Sequence, residues 1–181
     1  VKNAVEAATL SSNTLWNETV LAGFTKTNMD HKALLAAHNW FQNYLSQMVN
    51  PKSSLKKFIL DLIDRGEIDK NRFIEILKKA DFNIEGVQIR KDDTEDNLRL
   101  VHMGPYGALM DDIPFKSESL GTQRYFELAG ILYLLIVHPC SFAIDEIESS
   151  IHPDLVKHFL LSFCTNAGDS QIIVTTHVRE L

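Results

Sequence analysis

The chain has 181 residues, 45% apolar and 23% charged, a globular composition that excludes a disordered chain and suffices for one domain with a small helical appendage. Its net charge of -6 excludes a broad non-specific DNA-binding surface. The longest apolar run, Ala129 to Val137, is too short to span a bilayer.

The charge is uneven. Residues 1–80 are net positive and residues 81–181 strongly net negative, which predicts two regions with different roles. The sequence opens Val1-Lys2-Asn3-Ala4, without methionine or an apolar signal segment, and ends shortly after its last predicted strand. Both features predict a piece of a longer protein. Cys140 and Cys164 lie in apolar stretches without a CxxC partner. They are expected to be reduced, buried thiols of a cytoplasmic protein.

A helical region is predicted over residues 1–85. Leu34, Phe41, Leu45 and Met48 recur at helical spacing, with Trp40 and Tyr44 alongside, and Pro51 stops that helix. Leu55, Phe58, Ile59, Leu62 and Ile63 form the next stripe. Asp69 caps a short helix bearing Phe73, Ile74, Ile76 and Leu77. Core packing accounts for all three stripes; Trp40, Phe41 and Tyr44 could instead face a partner.

The pattern changes near residue 86. Gly86–Arg90 and Asn97–His102 alternate apolar and polar around the polar stretch Lys91–Asp96, which predicts a β-hairpin. Thr122 to Val137 is apolar almost all round and reads as a buried helix. Phe142-Ala143-Ile144 reads as a short buried strand. Pro153 opens a helix with Leu155, Val156, Phe159, Leu160 and Phe163 on one face. Gln171–Thr175 reads as a second buried strand. Strand, crossover helix and strand predict a right-handed βαβ unit with parallel strands.

Three places in this half carry chemistry. Asp145 and Glu146 end an apolar strand, where parallel sheets bind ligands. One acid there can hold Mg²⁺ and the other can take a proton from an attacking water. Taken alone, the pair is equally a solvated turn. Glu118-Ser119-Leu120-Gly121-Thr122-Gln123-Arg124 lies at a helix start, where hydroxyls and free backbone N–H groups attract anions, although a plain Ser119 cap explains the same residues. His177 follows the second strand in Thr175-Thr176-His177 and could bond a terminal phosphate, or be a lone loop histidine. The other six histidines show no convincing metal-ligand spacing.

The order of these elements resembles the second half of an ABC-type nucleotide-binding domain. Ser119-Leu-Gly121 resembles the signature motif, Phe142–Glu146 Walker B, Ser149-Ser150-Ile151-His152 the D-loop and His177 the switch histidine. Within that superfamily, Glu118–Arg124, Asp145–Pro153 and Thr175–His177 are similar to the AAA15 group of prokaryotic ATPases. That group is not of transporters and often occurs in phage-defence and abortive-infection systems beside a nuclease or toxin effector. The resemblance covers about residues 86–181 and implies an α/β fold, the C-terminal part of a P-loop ATPase head, preceded by helices and a hairpin.

It also implies roles. Asp145 would position Mg²⁺, Glu146 would polarise the attacking water and His177 would contact the γ-phosphate of ATP. Ser119, Gly121, Thr122, Arg124 and Ser149 would serve nucleotide binding, with Ser119 and Gly121 reaching ATP on the other protomer of a homodimer. Arg124 would brace the signature turn by charge-assisted hydrogen bonds, and Glu148 would lie at the dimer junction. An effector protein is the implied partner, with nucleic acid possible and no membrane. The Walker A pattern G-x-x-x-x-G-K-[ST] is missing from the sequence, so this chain alone is expected to bind ATP poorly. Two alternatives are a DNA-repair or chromosome-structural head of the same superfamily and a non-catalytic interaction module. The short helices of residues 1–80, broken by Pro51, disfavour the coiled coil of the first. Retention of Asp145, Glu146 and His177 together disfavours the second.

Overall fold

The computed structural model describes residues 2–46, 48–79, 83–90, 97–104 and 112–179. The chain divides into two compact units, Val1–Ser46 and Gln47–Leu181.

The first unit is helical: α1 (Lys2–Asn13), α2 (Val20–Thr25) and α3 (Lys32–Asn43). Thr19 caps α2, its hydroxyl accepting from the Ala22 N–H, and the His31 ring caps α3 through the Leu34 N–H. The helix expected to run to Pro51 ends at Tyr44, and α3 holds no buried residue. Core packing therefore does not explain its stripe: Trp40, Phe41 and Tyr44 are exposed. The physical reason is size. Helices of 12, 6 and 12 residues enclose little volume, and among the described residues Phe24 is the one large apolar side chain buried in them.

The second unit is α/β. Its core helix, α6 (Leu120–Val137), is buried on nearly every side, as its continuous apolar run predicts. Helix α4 (Lys56–Asp64) crosses it at Gly130, where a Cβ would stand 2.6 Å from carbons of Ile59, so only a hydrogen fits. The residue before α4, Leu55, has no capping side chain. Glu127 of α6 supplies the acceptor instead, taking the Leu55 N–H at 2.9 Å and the Ser54 hydroxyl at 3.0 Å. Helix α5 (Lys70–Lys78) starts at Asp69 as expected, the carboxylate accepting from the Arg72 N–H at 2.8 Å. Phe73 of α5 and Phe115 meet Phe126 edge-on, each pair of centroids 5.1 Å apart.

The expected hairpin is present as β1 (Ile84–Ile89) and β2 (Leu98–His102), antiparallel, with β3 (Ile113–Pro114) added to β2. Its connecting residues 91–96 lie outside the described residues. The other sheet pairs β4 (Ser141–Ile144) with β5 (Gln171–Val174) in parallel, joined by α7 (Pro153–Asn166). Pro153 stands in the first turn of α7, where its missing N–H costs nothing. Val49 adds a parallel bridge on the other edge of β4: its N–H donates to Ala143 and its carbonyl accepts from Asp145. The tip of β4 is thus held from both sides. Two expectations of burial fail here. Ile173 of β5 is 62% exposed, because among the described residues β5 has only β4 as a strand neighbour, and Cys164 of α7 is exposed.

Candidate functional site

Asp145 and Glu146 leave the tip of β4 beside the end of β5, and one hydroxyl joins them. Thr175 Oγ1 accepts from the Glu146 N–H at 2.8 Å and donates to Asp145 Oδ1. Glu146 is left-handed, with φ of 46°, a conformation that a non-glycine residue keeps only when its surroundings enforce it. The enforcing contacts are visible. Its N–H is held by Thr175, its carbonyl accepts from the Ser149 N–H at 2.8 Å, and the next N–H, of Ile147, donates to the Thr175 carbonyl. Ile147 and Ile151 are buried and anchor the loop, while the Glu146 side chain just before them reaches the surface.

The turn after β5 brings His177 to the same place. His177 Nε2 lies 3.4 Å from Glu146 Oε1, and both side chains reach solvent. The His177 N–H donates to Glu148 Oε1 at 2.7 Å. Burial pushes the Glu148 carboxyl up, but the N–H groups of His177 and of Glu148 itself, the Thr176 hydroxyl and the His177 ring together hold it below the ordinary carboxylate value. Glu148 is thus bonded, within the chain, to the histidine turn. Among the described residues no three His, Cys, Asp or Glu side chains form a metal cage.

The signature-like turn is built as a helix cap. Ser119 Oγ accepts from the Thr122 N–H at 3.1 Å and shares a 2.8 Å hydrogen bond with Thr122 Oγ1. Glu118 is tied to the end of β2 by a 2.7 Å contact with His102 Nε2, and its carbonyl accepts from the Gln123 side chain. A Cβ on Gly121 would lie 3.1 Å from the Ser150 carbonyl oxygen, so the turn abuts the loop that follows Glu146. A side chain here would press on that backbone, which would have to give by a few tenths of an ångström. Ser150 itself has φ of 68°.

Arg124 does not brace this turn as expected. It is 4% exposed and faces inward, with Nη1 3.5 Å from Glu127 Oε2, and its guanidinium nitrogens make no hydrogen bond among the described residues. One turn into α6, its side chain follows the inner face of the helix, where the same Glu127 also caps α4. The structure thus gathers Asp145, Glu146, Glu148, Ser149 and His177 around Thr175, sets Gly121 against Ser150, and turns Arg124 away. The sequence gives Thr175 a place in the histidine motif but no role of its own. Its one signal was a hydroxyl residue ending a strand that runs beside a strand ending in acids.

Residues 28–178 match the family model "AAA domain, putative AbiEii toxin, Type IV TA system". The chain belongs to that AAA family. It is accordingly a domain of the P-loop ATPase class. No curated protein matches this AAA domain at a significant level. Solved structures similar to it include an SMC head bound to the C-terminal winged-helix domain of ScpA, with 20% identity and a TM-score of 0.49 over 71% of this chain and 40% of that one. Another is the SMC head domain from Thermotoga maritima, with 18% identity and a TM-score of 0.45 over 73% and 44%. The chain spans less than half the length of either head.

Proposed function

We propose that this AAA domain is part of an ATP-hydrolysing, ABC-type head that is not a transporter subunit. The observation that carries the reading is the cluster around Thr175, in which one hydroxyl ties Asp145 to the backbone of Glu146 and His177 stands 3.4 Å from the Glu146 carboxylate. Glu146 is the general base, positioned by its left-handed backbone to take a proton from water attacking the γ-phosphate. His177, exposed beside it, donates to the γ-phosphate oxygens. Asp145 keeps one carboxylate oxygen clear of the Thr175 bond. A single carboxylate at a strand tip is the kind of ligand that Mg²⁺ shares with substrate phosphates. Magnesium, when bound, supplies positive charge to the phosphates.

In this reading ATP draws two copies into a homodimer. Ser119, Gly121 and Thr122 then face nucleotide held by the other protomer, with Ser149 and Ser150 at the junction. The contact between Gly121 and Ser150 supports this, because it makes the signature turn and the loop after Glu146 one continuous surface. Arg124 serves that surface only indirectly, through the inner face of α6. The family description, which names a toxin of a type IV toxin–antitoxin system, supports a role in phage defence or abortive infection, where dimerisation controls a nuclease or toxin effector. The proposed setting is cytoplasmic; among the described residues no helix is long and apolar enough to cross a membrane.

Glu146→Gln in the complete protein tests the reading. The amide keeps the shape but cannot take the proton, so single-turnover hydrolysis should fall by about 10²–10⁴ while ATP still binds. A near-normal rate would reduce Glu146 to a solvated acid.

A further inference from the structure

We infer that Glu148 is a positioning residue for His177, holding the turn after β5 so that the imidazole meets Glu146. The inference rests on the ATPase reading of this site. The ladder between β4 and β5 ends with the Thr175 carbonyl, which takes the Ile147 N–H. Beyond it, the next backbone anchor to the β4 loop is the 2.7 Å bond from the His177 N–H to Glu148 Oε1. The His177 side chain is 83% exposed, so packing cannot orient it. Its direction must come from its backbone, and that backbone is held by Glu148.

The carboxylate is placed for this one task. Ile147 and Ile151 are buried on either side and set the course of the loop that carries it. Glu148 Oε2 is closed to solvent and, among the described residues, has no hydrogen-bond partner of good geometry. Its other oxygen, Oε1, takes the His177 N–H, so the hydrogen bond this carboxylate makes is directed at the histidine turn. Together with Thr175, it gives the turn two ties to the acidic loop, one through a hydroxyl and one through a carboxylate.

The experiment uses the complete protein and three variants. Glu148→Gln keeps a carbonyl acceptor at the same reach. Glu148→Ala removes the acceptor, and Glu148→Asp keeps the charge but falls short. Ala and Asp should lower kcat on the order of 10- to 100-fold with KM for ATP nearly unchanged, since a misplaced group costs turnover and not ground-state binding. Gln should stay within about threefold of the parent, because a neutral acceptor still takes the N–H. Combining Glu148→Ala with His177→Ala should be no slower than His177→Ala alone, as expected of two residues acting through one group. Full activity of the Asp variant, or a multiplicative loss in the double variant, would overturn the assignment.

Hydrogen exchange of the His177 amide supplies an arm that does not depend on turnover. It should stay slow with Gln and become fast with Asp and Ala; equal protection in all three would also overturn the assignment. A complete protein inert toward ATP would bring down the ATPase reading, while the exchange arm still decides the role of Glu148.

Discussion

At the scale of single residues, the hydroxyl of Thr175 does the most. It accepts one hydrogen bond and donates another, and so fixes the Glu146 backbone and the Asp145 carboxylate relative to each other. The left-handed backbone of Glu146 stores strain of about 1–3 kcal/mol, which the Thr175 bond helps to hold. Thr175→Val, nearly equal in shape, removes both bonds. Turnover by the complete protein should fall on the order of 10- to 100-fold, the usual effect of losing a group that orients a ligand or base. Thr175→Ser should recover most of it. Initial-rate assays of the two variants decide the matter, and equal rates would leave Thr175 as an ordinary strand end.

At the scale of elements, α6 is the organiser. Its acid Glu127 caps α4 and faces the buried Arg124, while Gly130 admits Ile59 and Phe126 receives two aromatic edges. Arg124 and Glu127 are 4% and 6% exposed, so removing one leaves the other charged and unpaired in the core. Glu127→Ala should therefore destabilise the second unit by about 3–5 kcal/mol, the range for breaking a buried pair. Glu127→Gln should cost less, since its amide oxygen still accepts from Ser54 and Leu55. Urea unfolding followed by circular dichroism reads both, and an Ala variant as stable as the parent would mean that Arg124 is solvated in solution.

At the scale of the whole molecule, the two compact units are unequally built. Buried apolar side chains fill the second, whereas the first has Phe24 and little else. Both tryptophans, Trp16 and Trp40, belong to the first unit, and Trp16 is 96% exposed. Their fluorescence should therefore report the first unit alone. Its midpoint in urea should lie below that of the circular dichroism signal, which the second unit's helices and strands dominate. Non-coincident transitions are the signature of departure from two-state unfolding. Coincident curves would show that the units unfold together.

Local chemistry was legible in the sequence. Asp69 as a cap, Pro153 in a first helical turn, the hairpin alternation around residues 91–96 and the all-apolar α6 are written in neighbouring residues, because caps, turns and periodicity act over a few positions. The order of signature-like turn, acid-tipped strand and histidine was legible for the same reason, and it pointed to the P-loop ATPase class. Only the tertiary structure decided what depends on distant partners. Burial of a stripe depends on what the fold lays over it, which left the apolar residues of α3 exposed and Ile173 at an open face. Arg124 turned inward because Glu127, one helical turn away, is held in place by α4. Thr175 and Glu148 found their partners only once parallel pairing set residues about 30 positions apart side by side. A hydrogen bond is specified by geometry over 3 Å or so, and no spacing along a chain encodes that until the sheet has formed.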